Sequence, residues 1–137
     1  MNHATSNTTA LQLDQAAIRR AAESSHLGEG AVTPGIQPYA GEICKLLNDA
    51  LATEWVCVLR YKRHYFTASG LTSTPVAEEF LVHANEEMAH ADRLAERIVQ
   101  LGGQPLLDPA EFHARSHAEY DDSLDLNSMI RANLVAE

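Results

Sequence analysis

The sequence predicts an all-α chain built as a helical bundle of the long-crossover type. Three observations carry that expectation. Two long segments place their apolar residues at helical steps of three and four. A turn of about six residues joins them, which makes them antiparallel neighbours. A link of about twenty residues then precedes a third amphipathic run, enough to return the chain along the bundle. No segment alternates in the manner of a strand, and no repeat is evident.

The first forty residues read as a flexible arm and residues 41–137 as the bundle. Asn, Thr, Ser and Gly dominate the arm's ends, and Gly28, Gly30, Pro34, Gly35 and Pro38 punctuate its second half. Within it, Leu11 to Glu23 can form a short helix, but with few apolar anchors, so the arm is expected to order only against a partner.

The first long helix is expected from 41 to 68, with Ile43, Leu47, Ala50, Cys57, Val58, Tyr61 and Tyr65 as its stripe. Ser69 to Pro75 is the turn. Thr74 before Pro75, with Glu78 and Glu79 behind, predicts the next helix start. That helix runs to about Leu101 on a stripe of Val76, Phe80, Ala84, Ala91, Leu94, Ile98 and Leu101. Gly102-Gly103 and Pro105 end it. Residues 102–122 read as irregular. Asp122 or Ser123 is expected to cap a third helix on Leu126, Ile130 and Leu134, in which the sequence stops at Glu137. The link, at more than about 60 Å extended, exceeds the second helix, at about 40 Å. It can therefore start the third helix beside the start of the second; an up-down bundle with an ordered excursion is the rival topology.

Composition bounds the function. A chain of 137 residues, 45% hydrophobic and 6% aromatic, builds one core. Its apolar runs fall far short of the ~20 residues of a membrane span. The N-terminus lacks the basic and apolar pairing of a signal peptide. Ten Lys+Arg against nineteen Asp+Glu give a formal charge of −9. That is unsuited to a phosphate backbone, so no nucleic acid and no membrane partner are expected. It suits small cations and other protein subunits better. Cys44 and Cys57 would lie ~20 Å apart on one helix, too far for a disulfide. Two free thiols fit a reducing, cytoplasmic setting.

Some residues break the apolar stripes. Glu54 sits between Ala50 and Cys57 on the first helix, and Glu87 between Ala84 and Ala91 on the second. Glu137 follows Ile130 and Leu134 at the helical step on the third. His90, three after Glu87, shares its face. A buried lone carboxylate costs several kcal/mol unless it is paired, protonated or bound to metal. In an antiparallel hairpin, residues equidistant from the turn lie level. The midpoints of Glu54 with Glu87 and of Glu54 with His90 both fall inside the turn. The three should therefore face one another across the seam. Carboxylates with one imidazole suit iron or manganese better than a thiolate zinc site. A polar seam or a surface ion network is the bland alternative.

The segments LNDALATEW to Tyr61 (47–61), ANEEMAHADRLAERI (84–98) and NLVAE (133–137) resemble bacterioferritin and its ferritin-like relatives. The resemblance covers roughly 41–137, and Glu-Met-Ala-His-Ala-Asp at 87–92 is its most specific piece. It implies a di-iron site with Glu54 and His90 as terminal ligands and Glu87 and Glu137 as bridges. Tyr61 corresponds to the tyrosine beside the metal pair. It also implies Fe(II) oxidation by O2 or H2O2 for iron storage and detoxification in a homo-oligomer, a dimer or cage. Met88 stands where haem-bearing members supply a haem ligand; an ordinary interface methionine is the simpler reading. His83 and Glu86 flank the ligands on what reads as a solvated face. The family's fourth helix, with its second Glu-x-x-His, is missing from the sequence. Ferroxidase activity would therefore need that helix or a partner chain. The alternatives are another di-metal enzyme on the same bundle (a rubrerythrin-like peroxidase or a manganese catalase) or a non-catalytic assembly module. The absence of Cys-x-x-Cys argues against a rubredoxin-linked peroxidase.

Overall fold

A computed structural model describes residues 14–24, 30–68, 70 and 73–136. Its helices are α1 (Gln15–Ser24), α2 (Ala40–Thr67), α3 (Thr74–Gln100), α4 (Pro109–Arg115) and α5 (Leu126–Ala136). A 3-10 turn, Gln37–Tyr39, leads directly into α2. No strand occurs among the described residues.

Helices α2 and α3 pack along their lengths and form the frame. Their seam repeats every seven residues. On α3, Ala77, Ala84, Ala91 and Ile98 are buried, and Phe80 and Leu101 fill the alternate positions. Alanines at the contact let two helix backbones approach closely, as in an interdigitated coiled-coil seam. On α2, Cys44, Leu51, Val58 and Tyr61 face inward. Glu54 and Glu87 occupy seam positions that this spacing otherwise fills with apolar side chains. One core cluster joins Cys44, Leu51, Ala91, Ile98 and Leu101, with Val32 and Ile36 from before α2 packed on it. A second joins Cys57, Tyr61, Phe80, Ala84 and Met129.

The turn after α3 is specified by glycine chemistry. Gly102 has φ +78°. Its N–H donates to the Val99 carbonyl, and the Gly103 N–H to that of Ile98. This pair of bonds satisfies carbonyls that the helix end would leave open. A Cβ on Gly103 would lie 2.7 Å from Cys44 Sγ and 3.0 Å from Ile98 Cγ2. Gly103→Ala is therefore expected to cost about 1–3 kcal/mol, read as a lower urea midpoint with an unchanged slope.

Residues 101–125 return along α2 from its N-terminal half to its C-terminal end. The Asn48 amide grips the link twice: Nδ2 donates to the Gln104 carbonyl (3.2 Å), and Oδ1 accepts from Leu106 N–H (2.7 Å). Arg115 donates to Asp49 (2.8 Å). His117 N–H donates to Thr53 Oγ1 (2.9 Å). Arg60 reaches the Glu119 carbonyl (3.0 Å) and Arg63 that of Asp122 (3.2 Å). The partners climb α2 in order as the link proceeds, so α5 begins near the start of α3, in the long-crossover arrangement. The up-down alternative is set aside.

Local expectations need correction. Residues 102–122 are not wholly irregular, because they contain α4. Asp108 accepts from Ala110 N–H (3.0 Å), Pro109 opens the first turn, and Glu111 pairs with Arg115. The Asp108-Pro109-x-Glu111 pattern is the helix-start signal that identifies it. Phe112 projects from α4 onto Trp55, ring centroids 6.1 Å apart and planes 4° from parallel. Helix α5 is capped by Asp125, which accepts from Ser128 N–H (2.9 Å), rather than by Asp122 or Ser123. Its buried residues are Met129 and Asn133, whereas Ile130 and Leu134 are 41% and 74% exposed. Leu126 packs on the second core cluster as expected, but beyond it the inward stripe shifts by one residue, and a polar side chain, Asn133, takes a core position. Thr74 is the first residue of α3, whose start has no side-chain cap, and no acid lies in its first turn.

Candidate metal centre

At mid-hairpin the seam turns polar. Glu54 comes from α2, and Glu87 and His90 from α3. One donor atom from each lies within 4.8 Å of the other two. His90 Nδ1 stands 2.9 Å from Glu87 Oε2 and 3.7 Å from Glu54 Oε2. Antiparallel packing supplies the level match, and helical spacing puts Glu87 and His90 on one face. The Glu87 side chain is 14% exposed, that of Glu54 23% and that of His90 44%. The two acids are held among apolar neighbours while the imidazole edge stays open to solvent. Two carboxylates in that setting repel each other, and a cation between them removes the repulsion.

The donor set fits an oxygen- and nitrogen-ligated divalent ion. A metal about 2 Å from each donor holds neighbouring donors roughly 3 Å apart; the pair at 2.9 Å matches this, and the 3.7 Å pair would draw in around an ion. Cys57, one turn beyond Glu54, adds no thiolate. Burial raises its thiol pKa first, and the charges of Glu87 and Glu54 raise it further, against an opposing pull from Arg60. Arg60 Nη2 lies 3.6 Å from its sulfur. The neighbourhood is therefore hard and anionic.

Tyr61 lies in the buried cluster with Phe80, Ala84 and Met129. Its ring stacks on His83, centroids 5.1 Å apart and planes 13° from parallel. Met88 is 37% exposed on α3. His83 also approaches Glu79 (3.8 Å) and Glu86 (3.7 Å), whose side chains are largely exposed. The expected fourth ligand, Glu137, lies outside the described residues.

A second polar cluster has no counterpart in the sequence pattern. His64 and Arg60 of α2, Asn133 of α5 and Asp121 of the link form one hydrogen-bonded chain. His64 has no acid one turn away, and its partners lie 57 and 69 residues on. No short-range pattern announces such a pairing.

Residues 44–137 match the family model described as a ferritin-like domain. The nutrient stress-induced DNA-binding protein of Synechococcus sp. is 32% identical over 98 residues, 70% of this chain and 56% of that protein. The bacterioferritin of Desulfovibrio desulfuricans is 31% identical over 64 residues, 47% of this chain and 36% of its own. Among solved structures, the bacterioferritin-related dodecameric thioferritin of Bacteroides fragilis superposes with a TM-score of 0.67 at 31% identity. That match covers 71% of this chain and 59% of the other. The Dps protein of Vibrio cholerae, a ferritin-like diiron-carboxylate protein, gives 0.69 at 19% identity, a likeness of fold alone; it covers 73% of this chain and 64% of that one. The chain thus spans little more than half the length of the first of these relatives. Helical topology, the level-matched acids and the matched residues lead to one conclusion: this chain belongs to the ferritin-like family.

Proposed function

We propose that the chain binds Fe(II) through Glu54, Glu87 and His90 and, with the site completed by a fourth helix or a partner chain, serves iron oxidation and storage of the bacterioferritin type. The observation that carries this reading is the convergence of two carboxylates and one imidazole from two helices within 4.8 Å. Iron is the substrate. Two Fe(II) ions each give up one electron. O2 takes those two electrons with two protons to become H2O2, or H2O2 takes them with two protons to become two waters. The paired carboxylates favour the ferric product, which carries the higher charge. Glu54 and Glu87 hold the ion from opposite helices. His90 closes the site on its solvent side, where ions arrive. Residues 74–137, with thirteen Asp+Glu against four Lys+Arg, surround it with a cation-attracting field.

Glu137 as a further bridge, Tyr61 as a redox neighbour and Met88 at a haem belong to the same reading by resemblance. So do a homo-oligomeric assembly and a cytoplasmic setting. No helix among the described residues is long and apolar enough to cross a membrane. The DNA-binding name of the Synechococcus relative stands against the expectation of no nucleic-acid partner, and the formal charge of −9 stands for it. A mobility-shift titration at physiological salt is expected to show no retardation of duplex DNA by this chain; retardation that weakens steeply with salt would restore a DNA role.

Oxygen uptake against added Fe(II), with metal analysis of the purified protein, tests the reading. Iron-dependent uptake is expected. Bound manganese with H2O2 disproportionation would favour the catalase alternative. Neither activity, with the chain folded, would leave an assembly module.

A further inference from the structure

The polar cluster around His64 has a property independent of the iron site. The His64 ring is fully buried, and Arg60 and Asn133 are nearly so. Arg60 Nε–H donates to Asn133 Oδ1 (2.8 Å), which fixes the orientation of that amide. Asn133 Nδ2 then faces His64 Nδ1 at 3.0 Å and can only donate to it. His64 Nδ1 must therefore be the unprotonated nitrogen, and Nε2–H donates to Asp121 Oδ1 at 3.1 Å. The neutral ring satisfies every partner. A second proton would set two donors against each other at Nδ1. Turning the amide would only move the conflict to Arg60.

The chain of bonds joins α2, the link and α5. The charged groups facing the ring are Asp121 from the link and Arg60 from α2. Helix α3 presents the Phe80 ring, 5.6 Å away, and α5 an uncharged amide. Asp121 alone favours the imidazolium; Arg60, full burial and the donor at Nδ1 oppose it.

We propose that His64 is a proton-operated latch: its neutral ring fastens α5 and the link to α2, and protonation releases α5 while the α2–α3 hairpin stays folded. The direction agrees with the titration of the group, whose pKa is lowered first by burial and only partly restored by Asp121. A depressed folded-state pKa means that the released form takes up the proton first. The latch is therefore complete above about pH 6.5 and weakens as pH falls below it.

Hydrogen exchange of the full chain at pH 7.5 and 5.5, corrected for intrinsic exchange, tests this. Protection of residues 126–136 is expected to fall by about tenfold per pH unit over the titrating range, while α2–α3 amides near Leu51 and Ala91 stay protected. Asn133→Asp supplies the control that a merely structural role would not predict. A carboxylate there can accept from both Arg60 Nε–H and an imidazolium Nδ1–H, so α5 should remain protected at pH 5.5. Wild-type α5 protection that does not change with pH, or an Asn133→Asp chain that loses it as the wild type does, overturns the latch.

Discussion

Glu87→Ala is expected to abolish Fe(II) oxidation in a chain that still folds. Glu87 is the least exposed of the three donors, lies 2.9 Å from His90 and faces α2 from the middle of the seam. Removing it takes away one of the two described carboxylates and frees the imidazole it orients. Partners that only orient a metal's ligands alter affinity by about 10–100-fold when removed, so loss of a direct ligand should cost at least that. The fold should change little, since a partly buried acid is relieved of its desolvation while alanine fills less of the seam than Phe80 and Leu101 do in the same series. Glu54→Ala should behave alike. Stopped-flow oxidation of Fe(II), with helicity measured alongside, reads both effects. Wild-type oxidation in both variants would end the iron reading.

Asn133→Ala is expected to have the largest effect on stability. It strands Arg60 Nε–H and His64 Nδ1 in the core, one of them on a charged group. Each such orphan costs about 1–3 kcal/mol, more when charged, so a loss of about 3–5 kcal/mol is expected. For a chain of this size that is a melting-point decrease of roughly 10–20 °C. Asn127→Ala, on the exposed face of the same helix, should stay within about 0.5 kcal/mol. Equal effects from the two would show that Asn133 is no keystone.

The difference between these residues also explains what the sequence can disclose. Glu54, Glu87 and His90 are legible because each breaks a regular apolar stripe and because hairpin geometry converts distance from the turn into level. The hairpin itself is legible from its period and its glycine stop. The Arg60–Asn133–His64–Asp121 cluster is not, since its partners meet only after the link has run the length of α2. The turn of α5 is misread for a related reason. Propensity favours burying Ile130 and Leu134, whereas the hydrogen bonds of Asn133 bring Met129 inward instead. Helix α4 is marked locally by Asp108, Pro109 and Glu111, but at 7 residues it is too short to show an apolar stripe.

Diffraction at the iron absorption edge, from crystals of the chain soaked anaerobically in Fe(II), shows whether iron sits between the two helices. An anomalous peak is expected between α2 and α3 within bonding distance of Glu54, Glu87 and His90, and it should vanish in Glu87→Ala. A wild-type crystal with iron elsewhere, or none between these side chains, would contradict iron binding by these three residues.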